Sequence, residues 1–167
     1  MTPEVRYLHT ELAFNYRMTN LQAALGVAQL EQIEDFIEKK RQIFEWYREE
    51  LGETEGVMLN SQRPGTRNNY WMISLVLGDE VSISRDEFCL ALKAAGVDTR
   101  PFFIPMSELP HLANYKTVGA ENNECPVTAH LSRRGLNLPS GCGLTREQVF
   151  RVSQIVKCVL QEAQSRP

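Results

Sequence analysis

Apolar residues recur along this chain with two periods, and the period assigns the elements. Leu21, Ala24, Leu25 and Ala28 fall at i, i+3, i+4 and i+7, one stripe on a helix. Thr19-x-x-Gln22 ahead of them is a capping box, in which hydroxyl and carboxamide satisfy orphan N–H groups reciprocally. Gly26 inside this helix costs about 1 kcal/mol relative to Ala and suggests a close backbone approach. The helical pattern continues through Ile33, Ile37, Phe44, Tyr47 and Leu51. It reads as one long helix, or as two with a break near Glu31 to Asp35, where the stripe drifts; Gly52 ends it. Asp35 and Lys39 stand at i, i+4 in the favourable order.

Val57 to Leu59 suits a short strand, and Ser61 to Asn69, with its Arg63-Pro64-Gly65, a loop. From Tyr70 to Leu77 the period becomes two: Trp71, Ile73, Leu75 and Leu77 face one way and Ser74 the other. Ser84-x-x-Glu87 opens a second capped helix with Phe88, Ala91, Leu92 and Ala95 as its stripe and Gly96 as its C-terminal turn. Val97 to Phe103 returns as a strand that, because Pro101 has no N–H, lies at a sheet edge or stops near there. Leu109 to Tyr115 reads as a short helix and Lys116 to Glu124 as an irregular polar connection. Pro126 fits the first turn of a helix to about Arg134, followed by a strand from Gly135 that turns at Pro139-Ser140. Thr145-x-x-Gln148 caps the last helix, with Leu144 against Val149 as a staple and a stripe through Val152, Val156, Val159 and Leu160. Its tail, Gln161 to Pro167, is expected to fray.

This order predicts an α+β fold, a small, mostly antiparallel sheet covered by helices. The expected organisation is an irregular arm over 1–18 and a single α+β domain over 19–167 that begins with the long helical segment.

Composition narrows the function. The chain has 167 residues, 43% of them hydrophobic, and a net charge of -3, which favours neither nucleic acid nor an anionic membrane as partner. Met1 to Arg6 is polar and no apolar run approaches the ~20 residues of a membrane span, so neither a leader nor a membrane partner is expected. Cys89, Cys125, Cys142 and Cys158 show no metal-ligand spacing and no disulfide framework, as suits the reducing cytoplasm.

The chemistry is less direct. Asn15 and Arg17 stand just before a helix start, where N–H donors and a guanidinium favour an anion such as phosphate. On the residues alone, a helix cap and a surface pair is the plainer reading of the same two side chains. No Gly-x-x-x-x-Gly-Lys or Gly-x-Gly-x-x-Gly run cradles a phosphate, and Ser140-Gly141-Cys142-Gly143 has no histidine after it to activate a nucleophile. Lys39, Lys40, Lys93, Lys116 and Lys157 fall on solvent faces of helices or in a loop.

The run Asn15-Tyr16-Arg17-Met18-Thr19-Asn20-Leu21-Gln22-Ala23-Ala24-Leu25-Gly26 resembles the signature of the DegT/StrS family of sugar aminotransferases, which use pyridoxal phosphate. Further segments resemble the family in the same order. They are Asn69-Tyr70-Trp71-Met72, closest to the branch that makes 4-amino-sugars such as perosamine, then Gly96 to Pro110, and Gly135-Leu136-Asn137-Leu138-Pro139-Ser140. The resemblance implies the C-terminal domain of a fold-type I aminotransferase, with the family's large, lysine-bearing domain lying before Met1. It implies that Asn15 reaches the cofactor phosphate across a dimer, and that Arg17, Arg100 and Ser107 contact a sugar nucleotide. His9 is kept as a lesser substrate-side candidate. Ile104 stands where Tyr is frequent in the family and Ser107 where His is common, which leaves the sugar nucleotide open. Arg100 could instead pair with Asp98 or Glu108, and Asn137 and Ser140 read as turn residues that bond backbone.

No catalytic residue is assigned. The implied cofactor is pyridoxal phosphate in the full-length family, with none held by this chain alone, and the implied partner is a second copy. Three readings stand. The chain is the C-terminal part of a sugar-nucleotide aminotransferase, a stand-alone binding or protein-interaction domain on that scaffold, or an independent acid–base enzyme using Arg100, Glu108 and His111.

Overall fold

The computed structural model describes residues 14, 16–112, 114–115 and 125–164. The expected arm over Met1 to Ala13, with His9, and the Lys116 to Glu124 connection lie outside these, as do Asn15 and the last three residues of the tail. Five α-helices and four strands follow in the order α1 (Asn20–Leu30), α2 (Ile33–Leu51), β1 (Val57–Leu59), β2 (Ile73–Leu77), α3 (Arg85–Ala94), β3 (Arg100–Pro101), α4 (Pro126–Arg134), β4 (Gly135–Leu138) and α5 (Arg146–Gln164). The helical segment therefore breaks at Glu31–Gln32, where the apolar stripe drifts.

Contacts divide the chain into a unit Met1–Glu34 and a unit Asp35–Pro167. This boundary falls inside the helical segment. In the first unit, the Thr19 hydroxyl accepts from Gln22 N at 3.3 Å and the Gln22 carboxamide accepts from Thr19 N at 2.9 Å, the reciprocal cap expected. Helix α1 buries none of its residues. A Cβ at Gly26 would meet nothing within 4 Å, so the close approach expected there is not formed among the described residues.

The second unit holds the sheet, of strand order β1-β2-β4-β3 with every neighbouring pair antiparallel. Ile73, Leu75 and Leu77 of β2 and Leu136 and Leu138 of β4 point to one face. There they join Ile43, Phe44, Tyr47 and Leu51 of α2, Phe88 and Leu92 of α3, and Val149, Val152 and Val156 of α5 in one core. Fully burying a Leu or Ile side chain contributes about 1.5–3 kcal/mol, so this cluster dominates the stability. The Ser84 and Thr145 capping boxes both form.

Local chemistry shapes the strand ends. Gly96 adopts φ 87°, and Val97 N donates to Leu92 O at 2.9 Å, the left-handed turn that closes α3. Gly135 begins β4 where a Cβ would strike the Phe102 ring and lie 2.6 Å from Leu131 O.

Three expectations need correction. Strand β2 starts at Ile73, not Tyr70. The Asn68 and Asn69 side chains accept from Tyr70 N and Trp71 N at 2.9 and 3.0 Å and fold Tyr70 into φ 46°. Trp71 is thereby turned out of the core and is 64% exposed, while Tyr70 is buried and stacks on Phe44 at 3.8 Å between centroids. The strand expected from Val97 begins only at Arg100; it lies at the sheet edge and stops at Pro101, both of which the missing N–H allows. Where a helix is expected over Leu109 to Tyr115, the described residues form a single 3-10 turn, Pro110–Leu112, preceded by another at Met106–Glu108, and a proline opens each.

Candidate functional site

Strand register builds a polar row on the sheet face opposite the core. Ser74 of β2 stands opposite Asn137 of β4, and Asn137 stands opposite Arg100 of β3. Beyond β1, Asn60 continues the row: its N donates to Ser74 O at 3.1 Å, and its side-chain oxygen accepts from Ser74 N at 3.0 Å. Side chains opposite one another in antiparallel strands share a face, so three strands present Ser74, Asn137 and Arg100 side by side. The Ser74 hydroxyl donates to Asn137 Oδ1 at 3.0 Å, which fixes the carboxamide and leaves its amide hydrogens outward. Asn137 is thus a cross-strand partner and not the turn residue expected. Ser140 does bond backbone, through Trp71 O at 3.4 Å.

Two cavities flank this row. The larger, about 780 Å³, is lined by Lys40, Asp98, Arg100, Asn137, Ser140 and Arg151 among others. The smaller, about 530 Å³, lies between the row, α4 and Phe102–Phe103. Trp71, Met72 and Asn137 line both, so the two spaces adjoin.

The cations of the larger cavity differ in use. Lys40 is half-buried; its ammonium donates to Trp71 O at 3.0 Å and, in a short contact, to Ser140 O. It is a structural clamp and not the solvent-facing lysine expected. Arg100 and Arg151 are exposed and have no ion-pair partner among the described residues. Of the two carboxylates expected to compete for Arg100, Glu108 lies 3.6 Å from Arg133, and Asp98 lines the cavity without an ion pair to it. Unpaired guanidiniums at a cavity rim are suited to phosphate, which they can bind through two parallel hydrogen bonds.

The remaining candidates are placed differently. Arg17 is exposed in the first unit, two residues before the α1 cap. Ser107 is exposed on the Met106–Glu108 turn and is not among the residues lining the Arg100 cavity. His111 is exposed on the next turn and Glu108 is turned to Arg133, so the acid–base trio with Arg100 is not assembled. Sequence reasoning missed Lys40, Ser74 and Arg151. The first two were hidden in strand order and long-range contacts, while Arg151 carries no local signal at all.

Among the described residues no three His, Cys, Asp or Glu side chains come together as a metal site, and no helix is long and apolar enough to cross a membrane. All four cysteines are free thiols.

Comparison with known proteins bears on this arrangement. Residues 1–157 match the DegT/DnrJ/EryC1/StrS aminotransferase family. The chain is 40% identical over 152 residues to a GDP-perosamine synthase of Vibrio cholerae, a match covering 91% of this chain and 40% of that protein. It is 34% identical over 161 residues to a GDP-perosamine synthase of Caulobacter vibrioides, covering 96% of this chain and 42% of the relative. The structure of S. venezuelae DesV in complex with a ketimine intermediate aligns with a TM-score of 0.77 at 23% identity, over 98% of this chain and 41% of that one. At that identity the likeness is one of fold, and it is to an α+β arrangement as expected. The chain spans about 40% of the length of these curated relatives.

Proposed function

This chain belongs to the DegT/DnrJ/EryC1/StrS aminotransferase family, and we propose that it is the C-terminal, substrate-facing part of a sugar-nucleotide aminotransferase. The family depends on pyridoxal phosphate, which when bound supplies the electron sink for amino transfer. The observation that carries this reading is Arg100, a guanidinium without an ion pair among the described residues, on the rim of a cavity of about 780 Å³. In this reading Arg100 holds phosphate of the sugar nucleotide and Ser107 adds a substrate contact, and Arg17 is a substrate-binding residue of the first unit. Asn15 reaches the cofactor phosphate of a second copy. The protein works as a homo-oligomer, without nucleic acid or membrane. Four unpaired thiols suit the cytoplasm.

The described residues do not by themselves fit the cofactor. A Schiff-base lysine must be desolvated or flanked by positive charge, with its nitrogen free to react. Lys40 lines a cavity but is engaged by two carbonyls. Lys39 lies 5.3 Å from the Trp46 ring centre, Lys157 lies 3.4 Å from Glu50, and Lys93 is exposed at the end of α3. No step of amino transfer is assigned to them. What this chain contributes is binding and orientation of the substrate, and contacts between copies.

A second reading has one observation in its favour. The unit Asp35–Pro167 closes its own core around Tyr47, Leu75 and Phe88, as a stand-alone binding or protein-interaction domain would.

A chimera separates the two. This chain replaces the matching segment of the Vibrio cholerae GDP-perosamine synthase, and transamination is assayed. The expected chimera is active, and Arg100→Ala raises KM for sugar nucleotide about tenfold or more with kcat within about twofold, the loss of one charge-assisted phosphate contact. A folded, cofactor-loaded chimera without activity favours the binding-domain reading. An unchanged KM removes Arg100 from the site.

A further inference from the structure

We propose that Arg41, which lines neither cavity, is a positioning residue for the Arg100 site: it fixes the Asn68–Trp71 turn and so keeps Trp71 where the two cavities adjoin. The role rests on the reading of the Arg100 cavity as the place where substrate binds.

The turn is strained. Tyr70 sits at φ 46°, in the left-handed region that a bulky side chain rarely enters. Such a conformation persists only where its surroundings over-determine it, and residues of this kind gather at functional sites. From within the turn, the Asn68 and Asn69 side-chain oxygens accept from Tyr70 N and Trp71 N. Helix α2 supplies the rest. Arg41 Nη1 donates to Asn68 O at 2.6 Å and to Gln62 Oε1 at 2.8 Å. Gln62 Oε1 also accepts from Asn68 N at 2.9 Å, so one guanidinium ties both backbone groups of Asn68, the second through Gln62. Its central carbon lies 5.6 Å from the Tyr70 ring centre, a cation over an aromatic face, and Phe44 stacks on the same ring. Lys40, next to Arg41 in sequence, donates to Trp71 O at 3.0 Å. Adjacent residues of α2 therefore hold the first and last carbonyls of one four-residue turn.

Strand geometry says what this hold prevents. With Tyr70 extended, the period of two in β2 would run back unbroken, and Trp71 would share the core face of Ile73 and Leu75. Tyr70 would then leave Phe44 and turn outward. The residue pattern thus fits two arrangements, one with Tyr70 inside and one with Trp71 inside. The first is present, with Tyr70 5% and Trp71 64% exposed. Arg41 favours it selectively, because its bond to Asn68 O and its contact with the Tyr70 ring both need the folded turn. Trp71 and Met72 line the Arg100 cavity, so the choice reaches the site although Arg41 does not touch it.

Two readouts on the same variants test this. The chain has two tryptophans, and Trp46→Phe leaves Trp71 as the one indole of the purified protein. In that background Arg41→Met should move the emission to shorter wavelength and lower its quenching by acrylamide. In the Vibrio cholerae chimera, Arg41→Met should raise KM for sugar nucleotide at least about fivefold with kcat within about twofold, as a displaced binding wall would. Arg41→Lys keeps the charge but not the planar fork; it should change both readouts in the same direction by less, and it decides the matter if Arg41→Met does not fold. Arg134→Met is the control. Arg134 donates to Leu77 O, Gly78 O and Val81 O, none of which belongs to a residue lining either cavity, so its loss should lower the melting temperature and leave emission and KM unchanged.

The positioning role is overturned if the Arg41 variants melt earlier, as Arg134→Met does, while Trp71 emission and KM stay unmoved. It is overturned equally if emission shifts without KM, since the turn then moves without consequence for binding, or if KM rises without a shift, since Arg41 then acts by another route. Arg100→Ala separates this role from the reading beneath it. A raised KM in Arg100→Ala with an unchanged KM in the Arg41 variants removes the positioning role alone. An unchanged KM in both removes the Arg100 reading and the role with it.

Discussion

The Tyr47 hydroxyl donates to the Pro139 carbonyl oxygen at 3.0 Å, joining residues 92 positions apart in the chain. Seven residues earlier on the same helix, and so on the same face, Lys40 donates to the next carbonyl, Ser140 O. Helix α2 thus holds the exit of the central strand β4 at two successive carbonyls, and Pro139 and Ser140 line the cavity that carries Arg100. A core helix fixes one wall of the site.

Burial pushes the Tyr47 hydroxyl well above the usual tyrosine range. The unfolded chain ionises this group above pH ~10 while the folded chain keeps its proton, so the unfolded state binds fewer protons there. Stability is therefore complete below that pH and falls as pH rises above it, by up to about 1.4 kcal/mol per pH unit. Tyr47→Phe should cost about 1 kcal/mol at pH 7 and flatten the alkaline slope. Urea unfolding at pH 7 and at about pH 11 measures both. An unchanged alkaline slope in the variant contradicts the assignment.

Lys40→Met should destabilise by about 1.5–3 kcal/mol, since it leaves two carbonyls without a charged donor. Lys40→Arg should not restore the loss, because a planar fork does not reproduce a compact ammonium between Trp71 O and Ser140 O. The urea midpoint reports it. A loss below about 0.5 kcal/mol would mean the ammonium is solvated and no clamp exists.

Helix α1 presents Leu21 at 81%, Leu25 at 69% and Leu30 at 68% exposure. A run of exposed apolar side chains usually finds a partner, and the proposed homo-oligomer supplies one. The chain should self-associate, and the double variant Leu21→Glu, Leu25→Lys should shift it toward monomer. Sedimentation velocity across a concentration series decides; a wild-type monomer at high concentration removes α1 from the interface.

What the sequence made legible was what depends on near neighbours. The capping boxes at Thr19, Ser84 and Thr145 link residues three apart, and all three form. The core stripe of α5 and the edge position of Pro101 follow likewise from local period and a missing N–H. Trp71 was misplaced because strand alternation was extended over Asn68 and Asn69, whose side chains bend the backbone two residues on. The row of Ser74, Asn137 and Arg100 depends on β4 lying between β2 and β3, although β3 precedes it in the chain. No local pattern encodes that order. Lys40 was equally hidden, its carbonyl partners lying 31 and 100 residues away.

The central claim is that this chain binds and orients substrate while the reactive lysine lies elsewhere. The most direct test mixes the purified chain with pyridoxal phosphate, reduces with borohydride, and maps the lysine label by peptide mass spectrometry. The chimera with the Vibrio cholerae enzyme is treated in parallel. The account predicts one stoichiometric label in the chimera, on a lysine of the host part, and no stoichiometric label on any single lysine of this chain. A stoichiometric adduct on one of this chain's own lysines, accompanied by amino transfer, would contradict it.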